Sequence, residues 1–162
     1  MNYNFPIILL AAFSSLLVGF VWYNPKVFGT IWMRETKVEM DGTEKKGMFK
    51  LLILHFIYSI FVAVTLHPIV IHQMGAMSMV GGPMMAEKTL PSYTNFMNDY
   101  GTAFRTFKHG ALHGFLTGLF FVFPLVGITS LYEKRSFKYV LITAGYWIVS
   151  LMIMGAIICK WF

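Results

Sequence analysis

The stretch ALHGFLTGLFFVFPLVGITSL, from Ala111 to Leu131, decides the fold class of this chain, because it contains no charged residue. A helix rises about 1.5 Å per residue, so this run can cross a hydrocarbon core about 30 Å thick. Three further uncharged apolar runs of similar length cover residues 5–23, 51–71 and 139–159. We therefore predict an all-α integral membrane protein with four transmembrane helices in a single membrane domain over residues 1–162.

The composition supports this class. Hydrophobic residues make up 57% of the chain and charged residues 12%, against about 45–50% and about 25% in ordinary soluble domains. A soluble fold of this size could not bury so much apolar surface. Cys159 is the sole cysteine, which excludes an internal disulfide and a thiolate metal cluster.

The distribution of positive charge predicts the orientation in the membrane. Nine of the 13 Lys and Arg residues lie in the first and third loops, residues 24–50 and 132–138. By the positive-inside rule these loops are cytoplasmic, so both termini lie outside the cytoplasm. We expect a cell-membrane protein, in a bacterial inner membrane, with the lipid bilayer as its partner. The basic residues form no nucleic-acid-reading motif, so no nucleic-acid partner is expected.

The segments between the runs differ in character. Val27, Phe28, Ile31 and Trp32 recur at helical spacing directly after the first run, which predicts a short helix lying in the membrane interface. Residues 72–109 form a long loop between the second and third spans. The third loop is short, so the last two spans form an antiparallel hairpin. Pro124 is expected to kink or end its helix.

Three glycines at the start of the third span predict a helix-packing seam. Gly110, Gly114 and Gly118 are four residues apart, and small residues at this spacing let two helix backbones approach closely. The partner can be another helix of this chain or a second copy, so a homo-oligomer or a membrane protein partner is among the expectations.

Histidines at the membrane boundary form the first candidate site. His109 and His113 are separated by one helical turn and share a face, which suits a metal ion or a proton-titrating pair. The alternative is that they form hydrogen bonds with neighbouring helices or lipid headgroups, because no acidic residue lies within a span to complete a strong site.

Methionines form the second candidate. His72 is followed by Met74, Met77 and Met79, and thioether ligands select soft Cu(I). The alternative is that these methionines are flexible apolar filler. The combined candidate metal ligands are His72, Met74, Met77, Met79, His109 and His113.

The sequence contains none of the usual catalytic motifs. A nucleophile elbow, a phosphate-binding loop, a zinc-protease helix and paired carboxylates are all missing. We therefore expect no enzymatic activity, and no cofactor other than a copper ion.

The stretch GFVWYNPKVFGTIWM, residues 19–33, carries a family resemblance. Its signature residues are Trp22, Tyr23, Pro25, Phe28, Gly29, Trp32 and Met33. With the hairpin at residues 109–158, which includes Gly145 and Tyr146, it resembles the domain-of-unknown-function 1761 family of small membrane proteins. The resemblance implies four spans in one domain and no assigned activity. The same aromatic residues also suit an anchor at the membrane interface.

Two functions remain as hypotheses. The first is a non-catalytic membrane module that self-associates, binds a partner or holds a small apolar ligand between its helices. The alternative is transport or sensing of a small solute, such as Cu(I), through the His and Met residues on the outer side.

Overall fold

A computed structural model describes residues 4–38, 45–82, 85 and 90–162. Four of its helices are long and apolar enough to cross a membrane, and these are Phe5–Trp22, Gly47–Val70, Phe107–Tyr132 and Phe137–Trp161. Within the described ranges the regular structure is helical, with no strand. The prediction of an all-α, multi-pass membrane protein is therefore confirmed.

Eight α-helices and two π-helical turns make up the described chain. The helices are α1 (Phe5–Trp22), α2 (Thr30–Thr36), α3 (Lys45–Val70), α4 (Gln73–Met79), α5 (Pro91–Tyr100), α6 (Phe107–Thr117), α7 (Phe123–Tyr132) and α8 (Phe137–Trp161). One π turn, Pro25–Gly29, leads into α2, and the other, Gly118–Val122, joins α6 to α7 in a continuous third span.

The segments between the spans contain helices of their own. The π turn and α2 occupy the stretch where a short helix is predicted after the first span, and its location in the interface stays a prediction. Helices α4 and α5 occupy parts of the predicted long loop. The amide of Asn4 donates to the carbonyl of Trp161 at 3.5 Å. We call this end of the bundle, with Asn4, Val70, Phe107 and Trp161, the terminal face.

Helix α8 is the centre of the bundle. It packs against α1, α3 and the third span, and it is the most buried of the four spans. The buried apolar core is formed by Ile8, Ala11, Ala12, Ala63, Leu66, Val70, Ile71, Leu151, Met154, Ile158 and Cys159. The core therefore consists of residues from α1, α3 and α8, together with Ile71 at the end of α3.

The predicted glycine seam packs against α8 of the same chain. A Cβ atom on Gly110 would lie 2.1 Å from the carbonyl oxygen of Gly155, and one on Gly114 would lie 2.0 Å from that of Leu151. At Gly118 the Cβ would lie 2.7 Å from a backbone carbon of α8. Because α8 covers all three glycines, this seam is an internal contact, and self-association would require another face.

The third span continues past Pro124. Proline has no N–H group, and its ring crowds the carbonyl one turn earlier, which normally kinks or breaks a helix. Pro124 is the second residue of α7 and directly follows the π turn Gly118–Val122. A π turn contains an extra residue, so it can absorb the mismatch that the proline creates. The helix therefore reaches Tyr132 without ending at the proline.

A polar cluster joins three spans inside the apolar part of the bundle. The hydroxyl of Ser15 on α1 lies 2.8 Å from that of Ser59 and 3.3 Å from Nε2 of His55, both on α3. The Tyr146 hydroxyl on α8 lies 3.0 Å from the same His55 nitrogen and donates to the carbonyl oxygen of Ser15 at 3.2 Å. Unpaired polar groups are costly in hydrocarbon, so this arrangement favours one relative position of the three helices.

We expect Gly114→Leu to destabilise the bundle strongly. The new side chain would meet the α8 backbone, which cannot move aside as a side chain can. Overpacking typically costs about 1–3 kcal/mol, and a backbone clash belongs at the upper end. Gly127→Leu on α7 is the matched control, because a Cβ there meets no atom within 4 Å. Thermal unfolding in detergent measures both, and equal stability of the two variants would contradict the packing described.

We expect a double-mutant cycle on His55→Leu and Tyr146→Phe to show coupling of about 0.6 kcal/mol, and at most about 1.7 kcal/mol, as found for hydrogen bonds between membrane helices. The measurement is the free energy of unfolding in mixed micelles. Tyr58→Phe is the control, because Tyr58 lies on the same helix as His55 and is 64% exposed. A cycle with Tyr58 should show no coupling, and the same result with Tyr146 would argue against the cluster.

Candidate metal centre

Three histidines converge near the terminal face. The nearest ring nitrogens of His72, His109 and His113 all lie within 4.8 Å of one another. Nε2 of His72 and Nε2 of His109 are 2.8 Å apart. The ring centroids are separated by 4.5 to 4.8 Å. The side chains are exposed or half-buried, so an ion can reach them.

Local structure explains this convergence. The Thr106 side chain accepts a hydrogen bond from the backbone N–H of His109 and caps the start of α6, as threonine commonly does. His109 and His113 are therefore in the first two turns of α6, on one face. His72 lies between α3 and α4, where the buried Ile71 holds the end of α3 in the core. The third imidazole thus comes from a different part of the chain.

The three imidazoles need side-chain rotation to form a tetrahedral nitrogen site, because the His72–His109 contact in this structure is a hydrogen bond. Zn–N bonds of about 2.0–2.1 Å at tetrahedral angles separate two ligand nitrogens by about 3.3 Å. The His72–His109 pair is slightly closer than this at 2.8 Å, and the 4.8 Å limit for the group is wider. Rotation of side chains that are not fully buried can supply such adjustments.

The three candidate methionines lie in different environments. Met74 packs against the apolar core. Met77 is buried, whereas Met79 is 89% exposed. The structure therefore brings the three imidazoles of the candidate set together. The three methionines, by contrast, differ in burial.

Phe104 is a neighbour of the histidines that the sequence does not reveal. Its ring stacks on that of His109, with centroids 5.2 Å apart, and lies edge-on to His72 at 6.1 Å. Phe104 belongs to the segment between α5 and α6. It has no periodic relation to the histidines, so sequence spacing gives no signal for this contact.

The first signature residues pack against α8. The indole N–H of Trp22 donates to the carbonyl oxygen of Ile142 at 3.0 Å. A Cβ on Gly145 would lie 2.9 Å from the Trp22 ring, so this glycine makes room for the tryptophan. The Phe28 ring lies 4.5 Å from that of Trp22. The two parts of the signature, far apart in sequence, therefore contact each other.

The remaining signature residues build the corner between α1 and α2. The ring centroid of Tyr23 lies 5.3 Å from those of Trp32 and Tyr146. Pro25 begins the π turn. A Cβ on Gly29 would lie 2.1 Å from the carbonyl oxygen of Tyr23. Packing contacts thus account for these residues.

Comparison with known proteins agrees with this arrangement. A family model described as "Protein of unknown function (DUF1761)" matches residues 7–159. No curated protein and no solved structure matches the chain. The family match includes both parts of the signature and nearly all of the four spans. This multi-pass membrane protein therefore belongs to the DUF1761 family, as the sequence resemblance predicts.

Proposed function

We propose that this protein binds a divalent transition-metal ion at its terminal face through His72, His109 and His113. The observation that carries the proposal is the convergence of three imidazoles from two segments, with the ring nitrogens within 4.8 Å of one another. Neutral imidazole is the commonest metal ligand among side chains. Three such ligands with an open fourth position are a known arrangement for zinc.

The donor set favours a borderline ion over a soft one. Imidazole suits Zn²⁺, Cu²⁺ and Ni²⁺, whereas thioethers select Cu(I). The three histidines supply nitrogen, and Met79 is largely exposed. The Cu(I) hypothesis from the sequence requires Met74, Met77 and Met79 to act together, and it is the weaker version of the proposal.

The role of the ion follows from the expected orientation. If loops one and three are cytoplasmic, the terminal face lies outside, and the histidines meet ions that arrive from the outer side. Sensing or uptake of a metal ion is the function that this placement supports best, and we propose no catalysis.

We expect metal-free protein in detergent to bind Zn²⁺, and His113→Asn to weaken that binding by at least about 100-fold. Loss of an outer-shell partner alone costs about 10–100-fold in metal affinity, and loss of a direct ligand costs at least as much. Isothermal titration measures the affinity. Zn²⁺ should also raise the melting temperature of the unmodified chain, because it binds the folded state.

Met79→Leu is the control for this experiment, since Met79 is exposed and is not one of the three histidines. It should bind Zn²⁺ as the unmodified chain does. Unchanged Zn²⁺ affinity in His113→Asn would refute the site. Tight Cu(I) binding that is lost in Met79→Leu would instead favour the methionine version.

A second candidate function has its own structural support. A groove of about 270 Å³ lies between α3 and the third span. Apolar side chains of Phe61, Leu66, Ile69, Phe121 and Leu151 line it. Phe61 and Phe121 are also largely exposed, so the groove borders the bilayer. We propose that it holds one acyl chain of a membrane lipid, which is the small apolar ligand expected from the sequence.

We expect Thr65→Phe to displace this lipid, because Thr65 lines the groove and a larger ring fills it. Native mass spectrometry of protein extracted in mild detergent measures the retained lipid. Val64→Phe is the matched control, since it adds a ring at the neighbouring position, which does not line the groove. Equal lipid retention in both variants would contradict the proposal.

A further inference from the structure

A cavity of about 280 Å³ lies directly beside the three histidines. Its lining residues are His72, Gln73, Phe96, Tyr100, Ala103 and Phe104. We propose that this cavity takes a small neutral aromatic molecule that supplies the fourth ligand to the bound metal ion. The inference rests on the proposed metal site and adds the chemical class of a co-ligand.

The cavity and the metal site share a wall. His72 lines the cavity and is also one of the three converging histidines. Phe104 lines the cavity as well, and its ring stacks on His109 at 5.2 Å. A molecule in the cavity therefore contacts one candidate ligand, His72, and the ring that stacks on a second, His109. The proposal assigns a donor atom of that molecule to the fourth coordination position, which three protein ligands leave open.

Phe104 has a strained backbone. Its φ is 62°, a left-handed conformation that is unusual and unfavourable for a bulky residue. Its carbonyl oxygen accepts hydrogen bonds from the backbone N–H of Thr106 at 2.8 Å and from the Cys159 thiol at 3.4 Å. Such strain persists where the surroundings impose it, often at ligand sites. Here the strained residue carries a ring that lines the cavity and also stacks on His109.

Gln73 gives the cavity a defined wall. Its side-chain N–H groups donate to the carbonyl oxygens of Tyr100 at 2.7 Å and Ala103 at 2.9 Å. Gln73 is only 4% exposed. These bonds connect α4 to the end of α5 and to the segment that carries Phe104. The cavity is thus shaped by hydrogen bonds between segments that are distant in sequence, and it is preformed for a ligand.

The lining specifies the class of ligand. Besides the His72 imidazole, three lining side chains carry aromatic rings, those of Phe96, Tyr100 and Phe104, and Ala103 contributes a methyl group. Offset and edge-on ring contacts favour an aromatic guest. An apolar cavity of about 150 Å³ holds benzene, so about 280 Å³ suits a molecule of one to two rings. Its coordinating atom would be an aromatic nitrogen or a similar donor.

The test uses Co²⁺ in place of the proposed Zn²⁺, because the visible absorption of Co²⁺ reports its ligands. The full-length chain is loaded with Co²⁺ in detergent and titrated with imidazole and with phenylimidazole. Both coordinate through nitrogen, but only phenylimidazole carries a second ring for the cavity. We expect phenylimidazole to bind at least about 10-fold more tightly than imidazole, because the phenyl ring is buried.

Ala103→Trp is the variant that tests the cavity itself. It should fill the space and abolish the preference for phenylimidazole, while the affinities for Co²⁺ and imidazole stay unchanged. The unmodified chain and the variant are titrated in the same detergent, so that partition of phenylimidazole into micelles affects both affinities equally. Phe96→Ala is a second variant that removes a ring without adding bulk, and it should reduce the preference as well.

The outcomes separate the two proposals. If Co²⁺ binds but both variants retain the full preference of the unmodified chain, the cavity is not the ligand site and the metal site stands. If Co²⁺ binds and the unmodified chain shows no preference, the co-ligand inference is also refuted. If Co²⁺ does not bind and His113→Asn has no effect on any titration, the metal site fails, and the co-ligand inference fails with it.

Discussion

The close approach of the third span to α8 is the constraint on which the structure depends. With no side chain at Gly110 and Gly114, the two backbones come within contact distance at Gly155 and Leu151. Lipid tails are as apolar as the helix surfaces, so helices in a bilayer associate mainly through close packing, which this short distance allows. It also fixes the start of α6 against the end of α8, and therefore fixes where His109 and His113 lie. Two of the three histidines in the candidate metal centre are therefore positioned by a row of glycines.

Much of the fold is encoded in patterns that act over short distances. An unpaired charge is costly inside a bilayer, so an uncharged apolar run of about 20 residues predicts a membrane span. The four spans therefore follow directly from the sequence. The spacing of Gly110, Gly114 and Gly118 indicates a seam, but the identity of the facing helix depends on the tertiary arrangement. Helix ends are less well determined, since α3 and α8 continue beyond the uncharged runs into polar residues.

The candidate site is likewise only partly predictable from the sequence. His109 and His113 share a helix face by spacing alone, whereas the approach of His72 depends on how the chain turns after Ile71. Phe104 and Gln73 carry no sequence signal, because their importance arises from a backbone conformation and from carbonyl partners in distant segments. The methionines show the opposite case. Met77 and Met79 are close in sequence, but on helix α4 the first is buried and the second is exposed.

The family signature has a structural meaning that sequence comparison alone does not supply. Trp22 packs on Gly145 and Tyr23 packs beside Tyr146, so the two parts of the signature form one corner of the bundle. Tyr146 also belongs to the polar cluster with His55 and Ser15. The signature is thus coupled to the interior hydrogen bonds, and its aromatic residues hold the end of α1 against the first half of α8.

The central position of α8 has a consequence for biogenesis. The ribosome synthesises α8 after the other three spans, yet α8 contacts all of them. Before α8 enters the bilayer, α1 and α3 can meet through Ser15 and Ser59, but His55 lacks the hydroxyl of Tyr146 and the glycines of the third span lack the α8 backbone as a partner. The four-span bundle can therefore close only when α8 inserts, because α8 supplies the partner of both the polar cluster and the glycine row.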